Sequence, residues 1–341
     1  AADATAFDVD NIITKNTLTG VLVSSTAGNA TVNNINSGAI NNISFTGDAP
    51  TTVVLTGKGF LSGGTTDAAT VILNNSVDYN ADGVDIATSL TFTQVDKLTV
   101  QATSDDTTAA RAIVNSVAAL TATDLDTVEV TGNAAVSITT AATTAAVQEV
   151  DASASTGAVT FSSAASAIAT LIYRGNSKVD TVTATDAATN AVTLFTAGGS
   201  DVLQLGVTGA AHTLNFTATD FTTGDVLAGN AITINVGGAA FVTASDTVTL
   251  NFSSAIEALL KSGGTALSSA SANVVLVGTA FSATTNVIAI DGGNNTTLQF
   301  DLNGDGVYTA AADFSVEILG EANNTLNYIA ATDGFTFTAT A

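Results

Sequence analysis

Val95-Asp-Lys-Leu-Thr-Val100, Leu125-Asp-Thr-Val-Glu-Val130, Val147-Gln-Glu-Val-Asp151, Leu171-Ile-Tyr-Arg174 and Val179-Asp-Thr-Val-Thr183 are short stretches of one kind. They are dominated by the apolar–polar alternation of half-buried strands and rich in Val and Thr. About 20 residues or fewer separate them, and Ala, Ser and Gly fill the gaps. An irregular repeat of short strands with small-residue corners is what a β-solenoid needs, because each coil buries its apolar face against the next. β-Sandwich modules are the competing reading, and periodicity alone leaves the two open.

The same alternation continues outward. Thr52-Val-Val-Leu-Thr56 and Thr70-Val-Ile-Leu73 read as strands, with Gly and Asn as punctuation. The expected fold is all-β: a β-solenoid-like stack over 91–210, flanked by strand-rich, β-sandwich-like parts at 1–90 and 211–341. Very little helix is expected. Ser254-x-x-Glu257 has the form of a capping box for a short helix over 255–261. Residues 109–120 place Ile113, Val114, Val117 and Leu120 at helical spacing.

Charge sets the next constraint. Thirty acids face seven bases, a formal charge of −23, and only Glu129, Glu149, Glu257, Glu317 and Glu321 are Glu. Yet only 11% of residues are charged, against roughly 25% in ordinary globular proteins. The surface is therefore mostly Thr, Ser, Asn and Gly. No basic patch exists for nucleic acid. No run approaches the ~18 apolar residues of a membrane helix, so no membrane insertion is expected. Cysteine is absent, which excludes disulfides and thiolate metal sites. The chain opens Ala1-Ala2-Asp3 without an initiator Met, which reads as a processed chain or a fragment.

Several acids have cation-loop spacing. Asp78-Tyr-Asn80-Ala-Asp82-Gly83-Val-Asp85 and Asp301-Leu-Asn303-Gly-Asp305-Gly306 place oxygen donors at alternating positions before a glycine that permits a sharp turn. Ca²⁺ takes six to eight such oxygens. Position twelve of the first loop is Ser89, so Asp85 is its candidate late ligand. Asp313 stands one residue beyond position twelve of the second. Asx turns in Asn/Asp-rich linkers are the alternative for both. Asp201 in Gly199-Ser-Asp201-Val-Leu203, and Asp180 in Gly175-Asn-Ser-Lys-Val-Asp180-Thr-Val182, fit part of the calcium-binding G-G-x-G-x-D-x-U-x nonapeptide. Asp96 and Asp126, beside strands, read as ordinary solvated turn residues.

Catalytic arrangements are poor. His212 is the lone histidine and sits in an apolar stretch, and no G-x-S-x-G turn exists. A solenoid lyase would need bases facing its substrate, and Arg111, Arg174, Lys97 and Lys178 are the only ones near the repeats. No enzymatic activity is expected. The Asn-x-Ser/Thr triplets, such as that at Asn29, are what chance gives in a chain rich in Asn and Thr.

Val95-Asp-Lys-Leu-Thr-Val-Gln-Ala-Thr-Ser104, Val130-Thr-Gly-Asn-Ala-Ala135, Val150-Asp-Ala-Ser153, Gly157-Ala-Val-Thr-Phe161, Arg174-Gly175 and Val179-Asp-Thr-Val182 follow one another in an order that resembles a known family. They are similar to the C-terminal part of RTX-type surface-layer proteins of Gram-negative bacteria, of the Caulobacter kind. Thr297-Leu-Gln-Phe300-Asp301 and Phe335-Thr-Phe337-Thr-Ala-Thr-Ala341 resemble the C-terminus such proteins present to a type I secretion system. The similarity covers about residues 90–206 and 284–341. It implies a Ca²⁺-filled β-solenoid tiling into a lattice and anchored to lipopolysaccharide by a separate N-terminal domain. This chain departs from the family in lacking tandem full nonapeptides, and only Asp180 and Asp201 match the motif's Asp.

The functional expectation is an extracellular structural protein at the cell surface that binds Ca²⁺ and self-assembles into an S-layer lattice or filament. Its partner is itself, with lipopolysaccharide or another surface glycan held through a separate anchor. The alternative is a module of an RTX-like adhesin or matrix protein that binds a glycan or partner, with an exposed aromatic site around Tyr79, Tyr173, Tyr308 or Tyr328.

Overall fold

The computed structural model describes residues 7–8, 19–24, 28–46, 51–61, 67–75, 83–105, 114–141, 147–163, 170–184, 191–195, 201–205, 211–216, 230–236, 247–252, 260–262, 265–266, 274–275, 280–291, 295–301, 303–319, 327–329 and 334–338. Among these residues there is no helix, and the chain is all-β. It forms two compact units, Ala1–Ser166 and Ala167–Ala341.

In the first unit the chain alternates between two parallel sheets. One runs in the order Phe7–Asp8, Asn29–Ile35, Thr52–Gly57, Ser89–Thr93, Val114–Ala122, Ala135–Thr140 and Val159–Ser162, with Asp85–Ile86 also pairing to Val114–Ala122. The other runs Val21–Ser24, Ile43–Thr46, Ala68–Asn74, Lys97–Thr103, Thr127–Gly132 and Glu149–Asp151. Parallel neighbours need a crossover connection. Here the crossover of every pair is a strand of the opposite sheet, so each turn of chain is one coil of a two-sheet β-solenoid. Coils differ in length: equivalent residues lie 29 apart from Asp67 to Asp96 but 22 apart from Asp126 to Gln148. The coil runs through residue 90 without interruption, Ala68–Asn74 pairing in register with Lys97–Thr103.

The core follows from period-two alternation. Lys97–Thr103 and Ala68–Asn74 bury every second residue. Register then stacks like on like: Leu98, Val128 and Val150 form one buried column and Val71, Val100 and Val130 another. Each such side chain is worth about 1.5–3 kcal/mol relative to exposure. The opposite face of each strand carries half-exposed residues such as Thr99 and Thr131, whose β-branching suits a pleated surface.

The second unit repeats the scheme and then turns from parallel to antiparallel pairing. Thr181–Ala184, Val202–Leu205, Asn230–Val236 and Phe314–Leu319 pair in parallel, after which Asn295–Phe300 and Val287–Asp291 continue antiparallel. The other sheet has parallel Thr170–Arg174, Ala191–Phe195, Ala211–Phe216 and Thr247–Phe252, followed by antiparallel Gly334–Thr338, Asn327–Ile329 and Val274–Val275.

The helical reading of 109–120 is corrected where the residues are described. Val114–Ala122 is a strand, and its register shifts between Val117 and Leu120. That irregularity puts two inward residues three apart, which imitates helical spacing. For the proposed helix over 255–261, residues 253–259 lie outside the described residues, and Lys261–Ser262 forms a small antiparallel ladder with Thr265–Ala266.

Candidate metal centre

The loop 301–313 joins two antiparallel strands, Asn295–Phe300 and Phe314–Leu319. Their last pair is Phe300 with Phe314, whose rings lie 5.2 Å apart between centroids. Asp301 and Asp313 are the next residues at the mouth of the loop, and they are 2% and 0% exposed. No Lys or Arg occurs between them.

The loop is organised by its own acids. Asp301 accepts the Gly304 N–H on Oδ1 at 2.8 Å and the Gly306 N–H on Oδ2 at 2.9 Å. Asn303 Oδ1 accepts the Asp305 N–H at 2.9 Å, and Asp305 Oδ1 accepts the Val307 N–H at 2.8 Å. Asn303 Nδ2 donates to Asp305 Oδ2 at 3.0 Å, and Asp313 Oδ2 accepts the Thr309 N–H at 2.6 Å. The Asn303-to-Asp305 and Asp305-to-Val307 bonds are Asx turns, and Gly304 and Gly306 take φ of 73° and 83° within the loop. The donor set fits a hard cation: it is all oxygen, and a carboxylate oxygen that accepts one N–H retains a second lone pair. Among the described residues no group of three or more His, Cys, Asp and Glu converges. Any ion held here would therefore draw on Asn303 and carbonyl oxygens as well as carboxylates.

The other expected ligands are placed differently. Asp78, Asn80 and Asp82 lie outside the described residues. Asp85 begins the short strand beside Val114–Ala122, and its Oδ1 accepts the Ser116 hydroxyl at 2.7 Å. Asp180 and Asp201 come together on consecutive coils, 21 residues apart, where Asp201 Oδ1 accepts the Asp180 N–H at 2.8 Å. Asp180 Oδ2 in turn accepts the Tyr173 hydroxyl at 2.8 Å and the Asn176 N–H at 3.2 Å. Both carboxylates thus serve the corner of the coil. Burial, reinforced by the Asp180 charge, pushes the Asp201 carboxyl up to about 7 against the opposing hydrogen bond from the Asp180 backbone. Burial, and then the Asp180 carboxylate, raises Tyr173 well above its ordinary value. Tyr173 is therefore no exposed aromatic site, contrary to the adhesin expectation.

Comparison of the chain with protein-family models, curated proteins and solved structures gave no match.

The Asp180–Asp201 geometry recurs, and sequence spacing missed it. Asp96 Oδ2 accepts the Asp67 N–H at 2.8 Å, Asn115 Oδ1 the Val84 N–H at 2.8 Å, and Asn286 Oδ1 the Lys261 N–H at 2.6 Å. In each case the Asx is the later residue in the chain, and its own N–H or that of the next residue donates back to the carbonyl of the residue it serves. The physical need is plain: where the chain leaves the ladder at a corner, a backbone N–H loses its acceptor, and a short side chain from the neighbouring coil supplies one. The reading of Asp96 as a solvated turn residue is thereby corrected, since it is buried. Asp126 stacks on it, the Asp126 N–H meeting the Asp96 carbonyl at 2.9 Å, but remains exposed.

A test separates acceptor from charge. Asp96→Ala strands the Asp67 N–H and is expected to cost about 1–3 kcal/mol, whereas Asp96→Asn retains an acceptor and stays within about 1 kcal/mol of wild type. Urea midpoints of the two variants decide it; equal losses would mean that the charge, not the staple, matters.

Proposed function

We propose that the chain is an extracellular structural protein that assembles with copies of itself, through Ca²⁺-ordered contacts, into a surface lattice or filament. The observation that carries this reading is the outer face of the first sheet in the Ala1–Ser166 unit. From Asn29 to Ser162 its strands contain a single charged residue, Asp85. Short Thr and Ser side chains stand in register there, as in Ser116, Ser137 and Thr160. Covering such a face with a second copy desolvates almost no charge and immobilises few long side chains, the two main penalties of association. Half-exposed Thr and Ser also supply hydrogen-bonding groups to a partner sheet.

The acid excess supports the calcium half of the reading. At −23 the folded chain repels itself. Ca²⁺ in the 301–313 loop would offset that repulsion and fix the hairpin mouth. Where Ca²⁺ is scarce, as inside a cell, the loops would stay unfixed and assembly would wait for export, because metal-binding free energy becomes folding free energy.

The test is melting temperature and sedimentation with Ca²⁺ or chelator, for wild type and for Asp301→Ala with Asp305→Ala. Saturating Ca²⁺ at about a hundred times its Kd adds about 2.7 kcal/mol of stability. The double variant is expected to lose most of this increment. Wild-type melting and oligomer size that ignore chelator would refute the reading.

A further inference from the structure

Asn303 is followed by Gly304 in the exposed part of the 301–313 loop. Before a glycine, the side-chain amide carbon of asparagine is open to attack by the next backbone nitrogen, because no Cβ obstructs the approach. Gly304 takes a φ of +73°, and nothing lies within 4 Å of where its Cβ would stand. Two carboxylates bracket the reacting groups. The Gly304 N–H donates to Asp301 Oδ1 at 2.8 Å, and Asn303 Nδ2 donates to Asp305 Oδ2 at 3.0 Å.

We propose that Asn303–Gly304 is a site of spontaneous deamidation in the folded protein, with Asp301 accepting the proton of the nucleophile and Asp305 holding the departing amide. The Gly304 nitrogen forms a bond to Asn303 Cγ, and the Cγ–Nδ2 bond breaks. The proton from the Gly304 nitrogen passes through Asp301 to solvent, the leaving nitrogen takes one from solvent, and ammonia departs. Water is the only co-reactant in the second step, opening the cyclic imide. Addition at Cγ restores an ordinary peptide with Asn303→Asp. Addition at the main-chain carbonyl carbon leaves an isoaspartyl link, with the backbone running through the side chain. The first product carries carboxylates at three alternating loop positions. Resting on the cation reading above, it binds Ca²⁺ more tightly than the parent loop, because affinity in such loops follows ligand charge.

The experiment incubates the folded chain at neutral pH and follows the 301–313 peptide by mass spectrometry for exchange of NH₂ by OH. Asn41 and Asn133, exposed but followed by Asn42 and Ala134, serve as internal controls. Asn303 is expected to convert about ten times faster than either, and Gly304→Ala to slow it about tenfold, equivalent to about 1.4 kcal/mol of barrier. Asp301→Asn, checked for retained β-sheet circular dichroism, slows it severalfold. Conversion of Asn303 no faster than Asn41 and Asn133 overturns the site. An unchanged rate in a folded Asp301→Asn variant overturns the role of Asp301. Calorimetry of Ca²⁺ binding by Asn303→Asp reads the consequence separately: tighter binding supports it and equal affinity overturns it, while the mass measurement alone decides the modification.

Discussion

Replacing Gly132 by alanine is expected to remove about 2–5 kcal/mol from the stability of the first unit, summing the penalty of an L-residue at positive φ with that of overpacking. Domains hold only about 5–15 kcal/mol in reserve, so this one methyl group removes a substantial share of it. Gly132 takes a φ of +101° where the chain turns from one sheet into the other. A Cβ there would collide with the carbonyl of Ala102 on the preceding coil. That carbonyl cannot retreat, because it accepts the Asn133 and Ala134 N–H groups at 2.9 and 3.1 Å. The Gly132 carbonyl in turn accepts the Thr156 N–H at 2.8 Å. The corner is thus stacked three coils deep. Gly59, also at positive φ but with open space around it, provides the control: its alanine variant bears the backbone term alone. Equal urea midpoints for the Gly132 and Gly59 variants would contradict the stacked-corner account.

The second large effect is a pH dependence opposite to ordinary acid denaturation. Asp201 has its carboxyl pushed up to about 7 from the ordinary 3.8, by burial first and by the Asp180 charge in addition. The folded state therefore binds this proton more tightly than the unfolded chain. Its contribution to stability is fully present below about pH 4 and is lost as pH rises to about 7. A shift of about three units corresponds to about 4 kcal/mol. Asp201→Asn keeps an oxygen for the Asp180 N–H and removes the titration. Its stability is expected to match wild type near pH 4 and to exceed it by up to about 4 kcal/mol at pH 8. The difference between variant and wild type isolates this group from the many other acids. A difference that instead favours wild type as pH rises is what a cation or base beside Asp201 would produce, and it would contradict the staple assignment.

These two positions also show what the residues disclose and what they conceal. Thr52–Gly57, Ala68–Asn74 and Thr127–Gly132 announce themselves, because alternation is a local property and Thr recurs on their outer faces, even though Val54 and Ile72 also stand there. The parallel coil is less visible. Coils of 29 and 22 residues destroy any fixed period, so the stacking of Asp67, Asp96 and Asp126 appears only once register is known. The bulge between Val117 and Leu120 hid a strand behind helical spacing. In the 301–313 loop, alternating donors and glycines were legible, since cation loops and Asx turns share that chemistry. The burial of Asp301 and Asp313 was not, because it depends on Phe300 pairing with Phe314 across the hairpin. Asp180 and Asp201 fit only part of a calcium nonapeptide, and what spacing could not show is that their carboxylates meet on consecutive coils and accept hydrogen bonds at one corner.

The central proposal is calcium-dependent self-assembly of the solenoid through a face whose strands carry a single charge, Asp85. Negative-stain electron microscopy of the purified chain, with Ca²⁺ and with chelator, tests it most directly. The account predicts ordered sheets or filaments with Ca²⁺ and dispersed particles with chelator. Dispersed particles in both conditions would contradict it.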